Sequence, residues 1–379
     1  MKIYEYQAKE IFSDNNIEIP SGQLALSVQE AVEKAEVLDY KVALKAQVHI
    51  GGRGKAGGIK FASEKKEVEK FAKELFSKDI KGEEINRILI EELMDIDEEL
   101  YLGFTMNRSK KTDTLIFSRS GGMEIEKVAE TNPEEVVKID IEPILGLQNF
   151  HLTPIAKMFN FDKNITDKLL PIVRKLYNIY KNNDCLLVEI NPLAILSNGK
   201  IKALDGKLEM DDNARYRQPK LMTMWDEGKE DELELIGRQA GFVVIKLSGD
   251  VSIISNGAGL AISTLDSLEE NGSKAANILD LSGGATAERV KKAVDVVLQD
   301  DDVKSILFNI FGGITRCDEI ARGVSESLAE VPDDISIVCR LQGTNREKGI
   351  EILKDVGLEA ATNLDEVVKK VVSTNQGGE

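Results

Sequence analysis

The chain has 379 residues, 42% hydrophobic and 30% charged, a globular composition too long for one ordinary core, so two or three domains are expected. Its net charge is −17 at pH 7, from 49 Lys and Arg against 66 Asp and Glu. A surface of that sign repels phosphate backbones and anionic lipid, which argues against nucleic acid or a membrane as partner.

In chain order, "MKIYEYQAKEIF" carries charges throughout and no apolar signal segment. Tyr4, Ala8, Ile11 and Phe12 recur at helical spacing and predict a short opening helix. "IEIPSGQLAL" predicts a loop and a strand. Ser27 followed by Glu30 predicts a capping-box start for an amphipathic helix. "KVALKAQV" is a strand entering the glycine-rich stretch "HIGGRGKAGGIK", and "GIKFA" continues as a strand before the helix "SEKKEVEKFAKELF". "NRILIEELM", "EELYLGFTMNR" and "TDTLIFSRS" are strands, with hairpin-like steps that imply antiparallel pairing. The stretch 143–165, with His151 in it, is expected to be exposed loop, and residues 164–183 are helical. Residues 185–211 form a hairpin turning at "SNG". The polar stretch 214–241 loses periodicity, which puts the domain boundary near 235, giving domains 1–235 and 236–379. Beyond it, four apolar strands each end in a Gly turn that opens a helix, the pattern of a parallel, doubly wound α/β sheet.

The glycine-rich loop is neither of the two common phosphate motifs. A P-loop needs GxxxxGK[ST], but Ala56 follows Gly54-Lys55 and His49 stands at the first glycine. Gly52, Gly54 and Gly57 spell GxGxxG, yet a Rossmann turn must open a helix and "GIKFA" is β-like. The loop therefore joins two strands. Its N–H groups can lie over phosphates as a flap, with Lys45 on the incoming strand and Arg53 and Lys55 in the loop as point charges. A solvated basic turn is the alternative.

In the hairpin, a three-residue turn Ser197–Gly199 puts Leu196 opposite Lys200 and Asn191 opposite Asp205. An amide oxygen beside a carboxylate suits Mg2+, which takes one or two hard oxygens from protein and the rest from phosphate and water. A polar cross-strand pair is the alternative, and the upstream flap tips the balance toward a magnesium–nucleotide clamp. Glu91 and Glu99, flanking "ELMDIDEE", could bond nucleotide hydroxyls or amine, or be solvated. In the C-terminal half, ligands are expected beyond the carboxyl ends of the strands, at "NGAGLA" with Asn256 and at "FGGITRCD" with Gly312 and Gly313. Cys317 has no neighbouring His and is expected to be a packed thiol. Cys185, Cys317 and Cys339 show no CxxC spacing, so a reduced, cytoplasmic protein is expected, and two histidines in all argue against a His-rich metal centre.

"EYQAKEIF", "KAQVHIGGRGKAGG", "EINPL", "LDGK", "NGAGLA" and "NIFGGITRCD", in this order and spacing, resemble the β subunits of succinate–CoA ligase (succinyl-CoA synthetase), over about residues 1–372. The resemblance implies an N-terminal ATP-grasp domain followed by a flavodoxin-like CoA-ligase domain. It implies reversible formation of succinyl-CoA, with ATP or GTP giving ADP or GDP and phosphate, the adenine nucleotide being the first expectation. The phosphate would pass through a phosphohistidine on a partner α subunit that also binds CoA. Carried over by motif, nucleotide contacts fall on Lys45, Gly52, Arg53, Gly54, Glu91, Met94 and Glu99, and magnesium ligands on Asn191 and Asp205. Substrate contacts fall on Asn256, Gly313, Ile314 and Thr315, and Glu189 of "EINP" would help receive the phosphohistidine.

The sequence departs from the family pattern at Thr315, where an apolar residue is usual, at Ser282, where a third glycine is usual, and at Gln342, where glutamate is common. The stretch 143–165 matches poorly. The β part of a malate–CoA ligase, or of another nucleoside-diphosphate-forming acyl-CoA synthetase, is a close alternative reading. A carboxylate–amine ligase of the ATP-grasp type is an alternative of another class, but it has no need of the doubly wound second half. A nucleotide sensor, binding without turnover, is a third.

Overall fold

The computed structural model describes residues 1–158 and 161–376. The chain divides into two compact units, Met1–Trp225 and Asp226–Glu379.

The first unit starts with α1 (Glu5–Asp14), β1 (Gly22–Ala25), α2 (Val28–Glu36), β2 (Val42–Ala46), β3 (Ile59–Ala62), α3 (Lys65–Phe76), a short ribbon of β4 (Asp79–Ile80) and β5 (Glu83–Glu84), and β6 (Ile88–Glu92). Four of these strands form an antiparallel sheet in the order β1-β6-β2-β3. Leu44, Ala46, Ile88 and Ile90 bury against Ala31 and Ala35 of α2 and Val68, Ala72 and Leu75 of α3. Side chains alternate across a strand, so Lys45 and Glu91 are sent to the opposite face. The glycine-rich loop connects β2 to β3, which pair directly. At α2 the Ser27 hydroxyl accepts from the Glu30 N–H at 3.1 Å, as the capping pattern predicts, while the Glu30 carboxylate accepts from Leu26 N–H instead of Ser27.

The second sheet of this unit contains β7 (Ile96–Asn107), β8 (Thr112–Ser118), β9 (Val136–Ile141), β10 (Cys185–Leu196), β11 (Ile201–Ala203) and β12 (Lys207–Met210), in the order β11-β10-β7-β8-β9 with β12 also on β10. The helices α4 (Ile125–Thr131), α5 (Asn149–Met158), α6 (Lys163–Asn182) and α7 (Pro219–Met222) complete it. His151, expected in an exposed loop, lies in α5; it is buried, and its Nδ1 accepts from Gln148 N–H at 2.9 Å. Phe159 and Asn160 of the same stretch lie outside the described residues. The hairpin closes where the turn residues put it: Leu196 N–H donates to Lys200 O at 2.9 Å. The same register runs from Ile195 opposite Ile201 to Glu189 opposite Lys207, with Asn191 and Asp205 in the gap between β11 and β12.

The division between the units, after Trp225, falls inside the polar stretch 214–241. Residue 235 lies inside α8 (Glu232–Gln239), whose Asp231 caps Leu233 and Glu234 N–H and whose Leu233 is buried in the second unit's core. There follow β13 (Val243–Lys246), β14 (Val251–Ser255), α9 (Ala258–Glu270), β15 (Ala275–Asp280), α10 (Ala287–Val297), β16 (Ser305–Gly312), α11 (Cys317–Ser327), β17 (Ser336–Gly343), α12 (Arg346–Asp355), β18 (Ala360–Ala361) and α13 (Leu364–Gln376). The sheet order is β13-β15-β14-β16-β17-β18, parallel except for β13. One face packs on α8, α10, α11 and α12, and the other on α9 and α13. Without its antiparallel edge strand the order is that of a flavodoxin-like, doubly wound sheet.

A buried charge cluster positions the glycine-rich loop. Glu5 and Lys9 lie one turn apart on α1. Lys45 pairs with Glu5 at 3.2 Å and Glu91 at 2.7 Å, and Lys9 pairs with Glu91. Arg53 bridges Glu5 and Asp205, the latter at 2.8 Å, and donates to Ala46 O at 3.0 Å. Lys9 and Lys45 both donate to the Leu204 carbonyl. Glu5, Lys9, Lys45, Arg53 and Glu91 are all buried, so three cations meet two carboxylates with almost no water, and the partly exposed Asp205 joins them from the cavity wall. Burial pushes the Glu5 carboxyl up, but Arg53, Lys45 and Lys9 together outweigh it and hold it well below the usual range. A depressed carboxylate stabilises the fold fully above its unfolded pKa, near 4.3, and that contribution is lost as pH falls toward the folded value. Glu5→Gln should cost about 3 kcal/mol at pH 7, because it leaves buried cations underpaired. Urea unfolding of the first unit should show that loss, and a shallower fall in stability below about pH 4.3 than in the parent chain. An unchanged midpoint at pH 7 would contradict the pairing.

Candidate functional site

The flap and the hairpin end meet in one cavity of the first unit, with a volume of 970 Å³. Gly52, Arg53 and Gly54 line it from the loop, Asn191 and Asp205 from the hairpin, and Glu189 and Tyr101 from β10 and β7. The flap is held in a compact turn by Ala56 N–H to Gly52 O at 3.2 Å and Gly58 N–H to Arg53 O at 2.8 Å. Arg53 is therefore folded inward, whereas Lys55 stays exposed and pairs with Glu124 at 2.9 Å. Lys45 does not line the cavity; it stands behind Glu5, which does, and Glu91 stands behind Lys45. Met94 packs against Ala194, Leu196 and Leu204, and Glu99 lies on β7 opposite Ala194 with its carboxylate against Gly122. Both are outside the cavity lining. The structure thus brings together the flap, the hairpin pair and Glu189, and leaves Met94 in the connection from β6 to β7 and Glu99 on β7 beside the cavity.

The hairpin pair suits a hard divalent cation. Asn191 Oδ1 accepts from Gly122 N–H at 2.7 Å and keeps a second lone pair, and its Nδ2 donates to Met123 O at 2.8 Å. Asp205 Oδ2 meets Arg53, and its Oδ1 accepts from Gly206 N–H at 2.7 Å. Among the described residues no group of three or more His, Cys, Asp and Glu could hold a metal alone. Two oxygen donors at a cavity wall therefore fit magnesium only when phosphate and water complete its shell. Glu189 is half-buried and accepts from the Tyr101 hydroxyl at 2.6 Å. Burial pushes its carboxyl up, against the pull of Tyr101 and Lys207.

In the second unit the predicted residues lie together at the carboxyl edge of the sheet. Asn256 acts as a stitch: its Oδ1 accepts from Phe311 N–H and its Nδ2 donates to Phe311 O, both at 3.0 Å. The Thr315 hydroxyl is buried and accepts from Gly284 N–H at 3.1 Å, with Asn256 Nδ2 at 3.5 Å. The hydroxyl in place of the usual apolar side chain thus ties two turns together. Ile314 is 83% exposed, and among the described residues no acceptor takes the N–H of Gly313 or Ile314. Such N–H groups ahead of a helix are suited to an anion. Ser282 has φ +62°, the left-handed region that explains the family's preference for glycine there. Cys317 is a buried thiol, as expected.

Sequence reasoning missed Glu5, Lys9 and Tyr101. The signal for the first two was an i, i+4 Glu–Lys pair beside Ala8 and Phe12, on a helix polar enough for that pair to pass as surface. Tyr101 left no signal of its own, because its partner is on another strand.

Comparison with known proteins agrees with this division. Residues 2–195 match the family model described as ATP-grasp domain, and residues 254–372 the model described as CoA-ligase. The chain is 42% identical over 374 residues to succinate–CoA ligase [ADP-forming] subunit beta of Halorubrum lacusprofundi, covering 98% of each chain. It is 43% identical over 382 residues to the protein of that name from Staphylococcus saprophyticus, again covering 98% of each. Among solved structures, ATP citrate lyase from Methanothrix soehngenii shares the fold at 19% identity, with a TM-score of 0.77 over 98% of this chain and 99% of that one. With an ATP-grasp domain followed by a flavodoxin-like CoA-ligase domain, and with relatives of this identity over nearly its whole length, the chain belongs to the family of succinate–CoA ligase β subunits.

Proposed function

We propose that the chain is the nucleotide-binding subunit of an ADP-forming succinate–CoA ligase, joining succinate and CoA at the expense of ATP, reversibly, with an unlike α subunit. The observation that carries this reading is the common cavity of the flap and the hairpin pair, segments far apart in sequence. Arg53 and Lys45 supply fixed positive charge for the phosphates, and the flap N–H groups the close approach. Magnesium, held by Asn191 and Asp205, would neutralise charge on the transferring phosphoryl group. Met94 and Glu99, beside the cavity, are the side chains left for the rest of the nucleotide, and Glu91 acts from behind by holding Lys45. Glu189 receives the partner's histidine at the cavity wall. In the second unit, the Asn256 stitch holds the Gly313–Thr315 turn so that its N–H groups meet a carboxylate or phosphate presented with the partner. Boundaries near 225 and 235 both leave these two sites in separate domains. Three buried, unpaired cysteines suit a reduced, cytoplasmic setting, and among the described residues no helix is long and apolar enough to cross a membrane.

Gly54 gives the reading a sharp test. A Cβ there would meet only Ile59 Cδ1 at 3.5 Å, an ordinary contact, so the fold has room for a side chain. Close approach of phosphate is the remaining reason for glycine. Gly54→Val should leave the fold intact and weaken nucleotide binding about tenfold by calorimetry, through steric exclusion and a stiffer backbone. Unchanged affinity would return the loop to a solvated turn. In the purified two-subunit complex assayed with succinate, CoA and ATP, Asp205→Ala should lower magnesium-dependent turnover about 100-fold. Parent-like turnover with parent-like magnesium dependence would remove Asp205 from the metal site.

A further inference from the structure

We infer that Tyr101 is a positioning residue for Glu189, and that Gly103 exists to let it reach. The two strands pair with Gly103 directly opposite Glu189, and Lys207 faces Glu189 from the other side. Tyr101, two residues before Gly103, shares its face of β7. A Cβ on Gly103 would lie 2.8 Å from the Tyr101 hydroxyl, closer than real Cβ atoms come, and a tight 3.2 Å from Cε1 and Cζ. The tyrosine ring therefore lies back over Gly103 and crosses to the next strand, where its hydroxyl donates to Glu189 Oε2 at 2.6 Å. Tyr101 is only 2% exposed and packs with Ile125 and Val128 of α4, so the ring cannot swing away cheaply. Among the described residues no other donor bonds Glu189. One carboxylate oxygen is thus fixed by Tyr101, and the other is left to accept from a group entering the cavity, whose wall both residues form.

The inference rests on the proposed reaction and assigns a step within it. When an imidazole of the partner attacks the γ-phosphorus, a nitrogen–phosphorus bond forms. The bond to the bridging oxygen breaks, and its electron pair leaves with the nucleoside diphosphate. The ring keeps its other N–H and becomes cationic. A carboxylate held in one rotamer accepts that N–H and offsets the new charge. A Glu189 free to turn would spend less time in that position. Tyr101 acts through Glu189 and touches no reacting atom.

The test uses the assembled two-subunit enzyme and its two half-reactions: phosphorylation of the partner by ATP, and phosphorylation by succinyl-CoA with phosphate. Tyr101→Phe removes only the hydroxyl. It should slow the ATP half-reaction about tenfold or more, the effect of losing a hydrogen bond to a charged group. KM for ATP and the rate of the succinyl-CoA half-reaction should stay within about twofold, since the loss falls on a step after binding. Gly103→Ala, which displaces the ring while keeping the hydroxyl, should reproduce that selective loss. Equal rates in both half-reactions, or a parallel loss in both, would overturn the positioning role. Failure of the parent complex to phosphorylate any partner would instead overturn the proposed function, and this inference with it.

Discussion

Buried charge is the constraint on which the first unit depends. Three cations and two carboxylates from α1, β2, the flap and β6 share a volume with almost no water, and Asp205 of the hairpin end closes the cluster at the cavity wall. None could be buried alone, because an unpaired ion in that setting costs several kcal/mol. Each therefore fixes the others. Lys45 on β2 cannot face Glu91 on β6 unless those strands keep their register, and Arg53 cannot reach Glu5 and Asp205 unless the flap folds inward. The Leu204 carbonyl, bonded by both lysines, sets the height of the hairpin end against α1.

This arrangement accounts for a candidate site built from distant segments. Pairing brings the flap to the hairpin and keeps its cations charged, with Lys45 held above the ordinary lysine range by Glu5, Glu91 and Asp205 despite its burial. Hydrophobic packing alone gives no such address, since it is non-directional and most residues of the two apolar cores lie outside the cavity lining. The second unit solves a similar problem largely with neutral groups, with a buried carboxylate, Asp318, pairing with Arg316 and accepting from Asn345 Nδ2. There neutral side chains of Asn256 and Thr315 bind the strand-end turns to one another. In the proposed function the first unit handles a highly charged nucleotide and the second a small anion brought by a partner, and the two kinds of scaffold suit those loads.

Local signals in the sequence were enough for much of this. The β-like "GIKFA" after the glycines made the loop a strand-to-strand flap, and the "SNG" turn fixed a register that carries Asn191 to Asp205. Alternating strand and Gly turn revealed the doubly wound sheet. Within the boundary stretch, the charged run "DELELIGRQ" forms a helix whose apolar side enters the second core, which its polar composition did not announce. The antiparallel β13 is bracketed by Gly241 and by "SGD" at 248–250, but its direction depends on pairing with β15, which is not local. Lys9 and Glu5 read as an ordinary helix pair, because their real partners are long-range. Tyr101 and Gly103 were illegible for the same reason: only the pairing of β7 with β10 gives the glycine a purpose.

The central claim is a division of labour, in which this chain holds the nucleotide and the phosphoryl group is carried covalently by another subunit. The most direct measurement is to incubate the purified complex with magnesium and ATP labelled at the γ-phosphate, then separate the subunits under alkaline conditions that spare phosphohistidine. The account predicts label on the unlike subunit and none retained by this 41.9 kDa chain. Covalent label on this chain, or complete turnover by this chain alone, would contradict it.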